Sequence, residues 1–97
     1  MSDQEKYDQI FEANRKWIEK NKIENPGLFE LLAAEQHPDF LYIGCSDSRV
    51  HPNQVMGLKP GEVFIHRNIA NMVNSIDLSA LSVINYGVEH LKVKYII

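Results

Sequence analysis

The stretch Phe40-Leu41-Tyr42-Ile43-Gly44-Cys45-Ser46-Asp47-Ser48-Arg49 decides how the rest of the chain is interpreted. Four apolar residues in a row are typical of a strand that is buried on both faces of a parallel sheet. The run ends at a glycine and the only cysteine of the chain. Because ligands of open α/β sheets bind beyond the carboxyl ends of the strands, we expect the chemistry of this protein at this loop.

The residues before this stretch carry the pattern of two helices. Residues 4–21 place apolar side chains on one stripe, at Tyr7, Ile10, Phe11, Trp17 and Ile18. Asn25 is the expected N-cap of a second helix, Pro26 its first residue and His37-Pro38 its end. We expect residues 1–24 to form a helical arm that packs against this subunit or a partner.

The residues after it alternate between strands, turns and one longer helix. Apolar runs predict buried strands over residues 39–44, 63–66 and 93–97, with a helical turn at 52–58 and a type II turn at 59–62. Ser75 or Asp77 caps a helix of about 14 residues. Its expected apolar stripe is Leu78, Leu81, Ile84, Val88 and Leu91, and Gly87 suggests a close contact with a strand. The predicted class is α/β, with residues 25–97 forming a parallel sheet flanked by helices.

Composition and charge exclude several classes of function. The chain has 97 residues and a formal net charge of −3, with acidic and basic residues mixed along it. This pattern gives no footprint for a nucleic acid, and no apolar run reaches the ~20 residues of a membrane span. A single cysteine cannot form an internal disulfide, so we expect a reducing, cytoplasmic location.

The loop after the first strand supports two interpretations when its residues are considered alone. A thiolate beside a cation can bind a metal or act as a nucleophile. Asp47 and Arg49 are two residues apart, so they can point the same way and form a bidentate pair. The alternative is a structural loop, in which a buried cysteine lies beside an Asp–Arg pair.

Three stretches together resemble the β-class carbonic anhydrases. Residues 45–50, Cys-Ser-Asp-Ser-Arg-Val, are similar to the cysteine motif of that family, and residues 61–71 are similar to its next signature. Residues 81–88 and 91–94 resemble the helix and strand that follow. The resemblance implies an incomplete β-carbonic anhydrase fold, because the sequence ends where the family's His-x-x-Cys zinc motif begins.

The resemblance also implies roles for individual residues. Cys45 is the expected zinc ligand, and Asp47 and Arg49 form the catalytic dyad, with Asp47 binding the metal only in a closed form. The substrate-binding positions are Gln36, Phe64, Ile69 and Tyr86. The family pocket draws on both subunits, so the resemblance implies a homodimer or higher homo-oligomer. The expected structural residues are Arg67 and Asn68, which hold the loop, and His66 and His90. His51 departs from the small or apolar residue that the resemblance predicts at that position.

The function that the resemblance implies is the reversible hydration of carbon dioxide to bicarbonate by a zinc-bound hydroxide. Only one of the family's three protein ligands is present, so we expect the 97 residues alone to be inactive. One alternative is a truncated, non-catalytic module for binding or assembly. Another is a thiol-based enzyme, such as a phosphatase or sulfur carrier, although Cys45 and Arg49 are too close for the phosphatase loop.

Overall fold

The computed structural model describes residues 1–97, which divide into two compact units, Met1–Glu35 and Gln36–Ile97. The first unit contains the helices α1 (Asp3–Glu24) and α2 (Leu28–Ala34). The elements of the second unit are, in order, β1 (Phe40–Cys45), α3 (Pro52–Met56), β2 (Val63–Asn68), a 3₁₀ turn (Ile69–Asn71), α4 (Leu78–Asn85), a π-turn (Tyr86–His90) and β3 (Tyr95–Ile96). None of the helices combines the length and apolar character that a membrane crossing requires.

The helix α1 confirms the predicted first helix and extends it at both ends. The Ser2 side chain caps its first turn by accepting a hydrogen bond from the Glu5 amide. Arg15 pairs with Glu12 and Glu19 along one side, and the hydrogen bond from Arg15 lowers the pKa of the Glu12 carboxyl. No residue of α1 is buried, and four residues of its apolar stripe are exposed, namely Tyr7, Ile10, Phe11 and Trp17.

The predicted N-cap of the second helix is wrong. Asn25 instead closes α1, because its backbone amide donates to the Asn21 carbonyl at 2.8 Å. The chain then turns through Gly27, whose φ of 82° lies in the left-handed region that glycine tolerates best. Gly27 therefore occupies the N-cap of α2, without a side-chain hydrogen bond.

A three-stranded parallel sheet with the order β2-β1-β3 confirms the predicted fold class. The central strand β1 carries Leu41, the one large side chain that is fully buried. Its register pairs Phe40 with Val63 at one end and Cys45 with Asn68 at the other. The third strand is in the predicted place, but its predicted burial is wrong. Because β3 lies at the edge of the sheet, Tyr95 and Ile96 are more than half exposed.

The predicted type II turn before β2 is confirmed. Gly61 has a φ of 88°, as the third residue of such a turn requires, and the Glu62 amide donates to the Lys59 carbonyl at 3.2 Å. The Glu62 carboxylate also accepts a hydrogen bond from the Lys59 amide at 2.8 Å. This closed turn sets the point at which β2 begins beside β1.

The face with which the helix α4 packs on the sheet matches the predicted one only in part, since Ile84 and Leu91 are half-buried. Its buried residues are the small Ala80 and, in the π-turn that continues the helix, Gly87. A Cβ at Gly87 would lie only 3.4 Å from the Leu41 side chain, which confirms the predicted close contact with a strand. The backbone approaches the sheet where these small residues lie, so side chains on other sides of the helix point away from it. Three residues of the predicted stripe are exposed as a result: Leu78 (77%), Leu81 (36%) and Val88 (42%).

Asp77 rather than Ser75 caps α4. Its carboxylate accepts hydrogen bonds from the amides of Ser79 at 3.0 Å and Ala80 at 3.3 Å. We therefore expect Asp77→Ala to lower the free energy of unfolding by about 1 kcal/mol, the usual cost of removing an N-cap. Ser75→Ala is the matched control, because its side chain makes no capping bond, and we expect it to leave stability unchanged. Urea denaturation of both variants measures the difference, and equal losses would contradict the assignment.

Candidate metal and active site

Cys45 ends the central strand, at the carboxyl edge of the sheet where the sequence predicts the chemistry. Its thiol is free and half-buried. The sulfur accepts a hydrogen bond from the Ala70 amide at 3.2 Å. That amide belongs to the 3₁₀ turn after β2, where Ala70 has left-handed backbone angles (φ 65°, ψ 20°). The turn therefore brings a backbone donor onto the cysteine from the neighbouring strand.

Arg67 holds the backbone of the cysteine loop. Its Nε and Nη2 atoms donate to the Cys45 carbonyl at 3.1 and 2.9 Å, and Nη2 also lies 3.5 Å from the Ser48 carbonyl. The Ser46 amide donates to the Asn68 carbonyl at 2.7 Å, which continues the contact beyond the last residue of β1. These contacts agree with the loop-holding role expected of Arg67.

The Asn68 side chain closes the turn that follows β2. Its Nδ2 donates to the Met72 carbonyl at 2.8 Å, and its Oδ1 accepts from the Met72 amide at 2.7 Å. Nδ2 also lies 3.2 Å from the Nε2 of His66, on the same strand. One amide side chain therefore ties the two ends of the turn together, as expected of a loop-holding residue.

Asp47 and Arg49 are both exposed, and no hydrogen bond or ion pair joins them. The bidentate pair considered from the sequence is therefore not formed in this chain. Between them, the Ser48 hydroxyl makes a local turn with the backbone of Val50, at 3.3 Å to both the amide and the carbonyl. An exposed pair gains little over separate solvation by water, so nothing in the loop forces the two side chains together.

The two histidines expected to be structural, His66 and His90, each have a local partner, and so does His51. His51 is the N-cap of α3, and its Nδ1 accepts a hydrogen bond from the Asn53 amide at 3.3 Å. His66 contacts Asn68, and the His90 ring stacks on Tyr86 with 5.3 Å between centroids. No group of three His, Cys, Asp or Glu residues in the chain is arranged to hold a metal ion.

The predicted substrate residues fall into three places. The rings of Phe64 and Tyr86 contact each other, with 5.8 Å between centroids, on the side of the sheet covered by α4. Ile69 is 68% exposed and precedes Ala70, so it belongs to the cysteine edge. Gln36 precedes the amino end of β1, and the six residues of that strand, at ~3.3 Å each, separate it from the carboxyl edge.

The sequence did not reveal the hydrogen bond from Ala70 to the Cys45 sulfur. Asparagine is tolerated in left-handed conformations, so Asn71, with a φ of 43°, gives a weak signal for the turn. Alanine at such a φ has no sequence signature. The donor becomes visible only once β1 and β2 are paired in register.

Comparisons with known sequences identify the family. The family profile described as carbonic anhydrase matches residues 40–97. A carbonic anhydrase of Emericella nidulans is 62% identical over 91 residues, which cover 94% of this chain and 40% of that relative. A carbonic anhydrase of Candida albicans is 45% identical and is matched over 92% of this chain and 32% of its own length.

Solved structures agree with the sequence comparisons. One of the tetrameric β-carbonic anhydrases of Sordaria macrospora superposes with a TM-score of 0.89 at 43% identity, over 95% of this chain and 47% of that one. The β-carbonic anhydrase CafA of Aspergillus fumigatus gives a TM-score of 0.88 at 46% identity, over 94% and 44%. The chain therefore belongs to the carbonic anhydrase family, with the fold of its β class. It spans less than half the length of these four relatives.

Arg67 should contribute measurably to stability, because a part-buried guanidinium donates to the Cys45 carbonyl through two atoms. We expect Arg67→Ala to lower the free energy of unfolding by about 1.5–3 kcal/mol, the range for hydrogen bonds of a charged group. Arg49→Ala is the matched control, since Arg49 is exposed and unpaired. Urea denaturation is the measurement, and equal effects at the two arginines would contradict this role.

Proposed function

We propose that the complete protein containing this chain catalyses the reversible hydration of carbon dioxide to bicarbonate. The observation that carries the proposal is that two candidate groups lie in one loop of a β-carbonic anhydrase fold. They are the Cys45 thiol, which accepts a hydrogen bond from the backbone, and the Asp47 carboxylate, which has no partner. The thiol is held by a backbone donor, whereas the carboxylate is open to solvent. This combination suits a fixed metal ligand beside an adjustable acid–base group.

The residues present fit part of a zinc site. A half-buried cysteine sulfur is a preferred zinc ligand, and the Asp47 carboxylate, two residues later, supplies the oxygen proposed to bind the metal in a closed form only. Catalytic zinc sites use three protein ligands, and no such group exists within these 97 residues. We therefore propose that further ligands come from protein outside this chain and that the chain alone is inactive.

The residues of the cysteine loop divide the work of catalysis. Zinc held at Cys45 would supply a water molecule that ionises near neutral pH. Asp47 would accept a hydrogen bond from the O–H of the attacking group and so orient it. Arg49 supplies the positive charge that holds Asp47 in that orientation once the site is complete. In this chain both side chains are free to take up such an arrangement, because neither has another partner.

Apolar and amide side chains form the proposed substrate pocket. Phe64, Ile69 and Tyr86 provide apolar surface suited to carbon dioxide, which has no net dipole. Gln36 donates a hydrogen bond to a substrate oxygen. Because Gln36 lies beyond the opposite end of β1 from Cys45, we propose that it serves the site of a second subunit in a homodimer or higher homo-oligomer. The Sordaria macrospora relatives are tetrameric.

A non-catalytic module is the second candidate. It is favoured by the apolar stripe of α1, most of which is exposed, and by the absence of a three-ligand cluster. Intact mass and metal content of the natural protein separate the two proposals. A mass near 11.2 kDa without zinc favours the module, whereas a mass well above this value with bound zinc favours the enzyme. We propose a cytoplasmic location with either candidate, because a single cysteine cannot form an internal disulfide and therefore fits a reducing compartment.

Cys45→Ser should abolish zinc binding by the complete enzyme, because a hydroxyl cannot replace the thiolate as a zinc ligand. Elemental analysis of the purified variant gives the zinc content for each chain. The neighbouring Ser46→Ala is the control, and we expect it to retain the metal. One molar equivalent of zinc in the Cys45→Ser variant would remove this residue from the metal site.

Asp47→Asn should retain zinc and lose most of the hydration activity. The amide keeps the shape of the side chain but lacks the negative charge that orients the attacking water. We expect turnover to fall by about 10²-fold or more, the usual contribution of an acid–base group. Asp39→Asn, at the amino end of β1, is the matched carboxylate control with full activity expected. Undiminished turnover in Asp47→Asn would exclude its proposed role.

A further inference from the structure

We infer that Asn68 is a positioning residue for Cys45, because its side chain holds the turn that places the Ala70 N–H on the cysteine sulfur. Asn68 acts on the metal ligand through the turn and not directly. Its effect on metal binding rests on the zinc site proposed above, whereas its effect on the turn depends only on contacts within this chain.

The turn is closed by one amide side chain. Asn68 uses both ends of its amide on Met72, with distances of 2.8 Å to the carbonyl and 2.7 Å to the backbone nitrogen. The three residues enclosed by these bonds are Ile69, Ala70 and Asn71. The Ala70 amide points from this enclosed segment to the sulfur at 3.2 Å.

The enclosed backbone is strained at Ala70. Ala70 and Asn71 have φ values of 65° and 43°, both in the left-handed region, which asparagine tolerates but alanine does not. At Ala70 this conformation costs roughly 1–2 kcal/mol, and it persists only where surrounding contacts impose it. Burial does not impose this one, because Ile69 and Met72 are 68% and 56% exposed. The Asn68 amide therefore supplies the constraint.

The turn that Asn68 closes also determines the direction in which the Cys45 sulfur points. The backbone of Cys45 is already fixed by its pairing with Asn68 and by the Arg67 guanidinium. The remaining freedom is rotation about the Cα–Cβ bond, and the only hydrogen bond that the sulfur makes in this chain comes from Ala70. Partners of this kind orient metal ligands, and their loss commonly weakens metal affinity by about 10–100-fold.

Nuclear magnetic resonance of the complete protein without bound metal tests the structural part. In Asn68→Ala, we expect the Ala70 amide to exchange with solvent at least about tenfold faster, and the Cys45 three-bond couplings to show rotamer averaging. Asn74→Ala is the matched control, because that side chain accepts from the Ile76 amide in the same connecting segment, outside the turn. We expect it to change neither readout.

A conservative variant keeps the test decisive if Asn68→Ala does not fold. Asn68→Asp retains an acceptor for the Met72 amide but loses the donor to the Met72 carbonyl. In this variant, we expect the Ala70 amide to exchange with solvent at a rate between that of the wild-type protein and that of an amide without a hydrogen bond. Unchanged exchange and an unchanged Cys45 rotamer in a folded Asn68 variant would overturn the inference.

Metal affinity tests the consequence for the sulfur. Cd²⁺ is the probe, because soft metals prefer thiolates and a thiolate–cadmium bond absorbs in the ultraviolet. In the complete protein, we expect Asn68→Ala to weaken Cd²⁺ binding by about tenfold, with no change in Asn74→Ala. If the Ala70 amide exchanges faster but the Cd²⁺ affinity is unchanged, the orienting role is overturned. Faster exchange and rotamer averaging in a complete protein that binds no Cd²⁺ would support the positioning role and count against the proposed zinc site.

Discussion

The parallel register between β1 and β2 is the constraint on which the site depends. It places Asn68 directly opposite Cys45, so both strands end at the same edge of the sheet. From that position Arg67 reaches the Cys45 carbonyl, and the turn after β2 reaches the cysteine sulfur. A shift of one residue would separate these groups and would also turn Leu41 away from its buried position.

The sheet edge combines a fixed group with movable ones. Cys45 is restrained through its backbone and its sulfur, whereas Asp47 and Arg49 are exposed and make no contact with each other. A metal ligand benefits from restraint, because pre-organisation removes the cost of ordering it when the metal binds. The proposed acid–base group must instead change partners as the substrate enters and the product leaves.

The chain leaves apolar faces uncovered, which agrees with the proposal that it belongs to a larger protein. The buried hydrophobic residues are Leu41, Val63 and Ala80, which is a small core for 97 residues. Burial of apolar surface is the main source of folding stability, so a chain with such a core gains little from it. The exposed stripes of α1 and α4 agree with the proposals that further protein and a second subunit pack against them.

The sequence by itself determined the central strand, the turn at Pro60-Gly61 and the family motif at Cys45, because these depend on residues that are neighbours along the chain. Only the tertiary structure decided which face of α4 meets the sheet. That helix is apolar on more than one side, and the close approach allowed by Gly87 selects one of them. The sequence also could not predict the hydrogen bond from the Ala70 amide to the Cys45 sulfur, because the two residues are 25 positions apart and meet only through strand pairing. Local patterns define elements, whereas contacts between distant residues decide how those elements assemble a site.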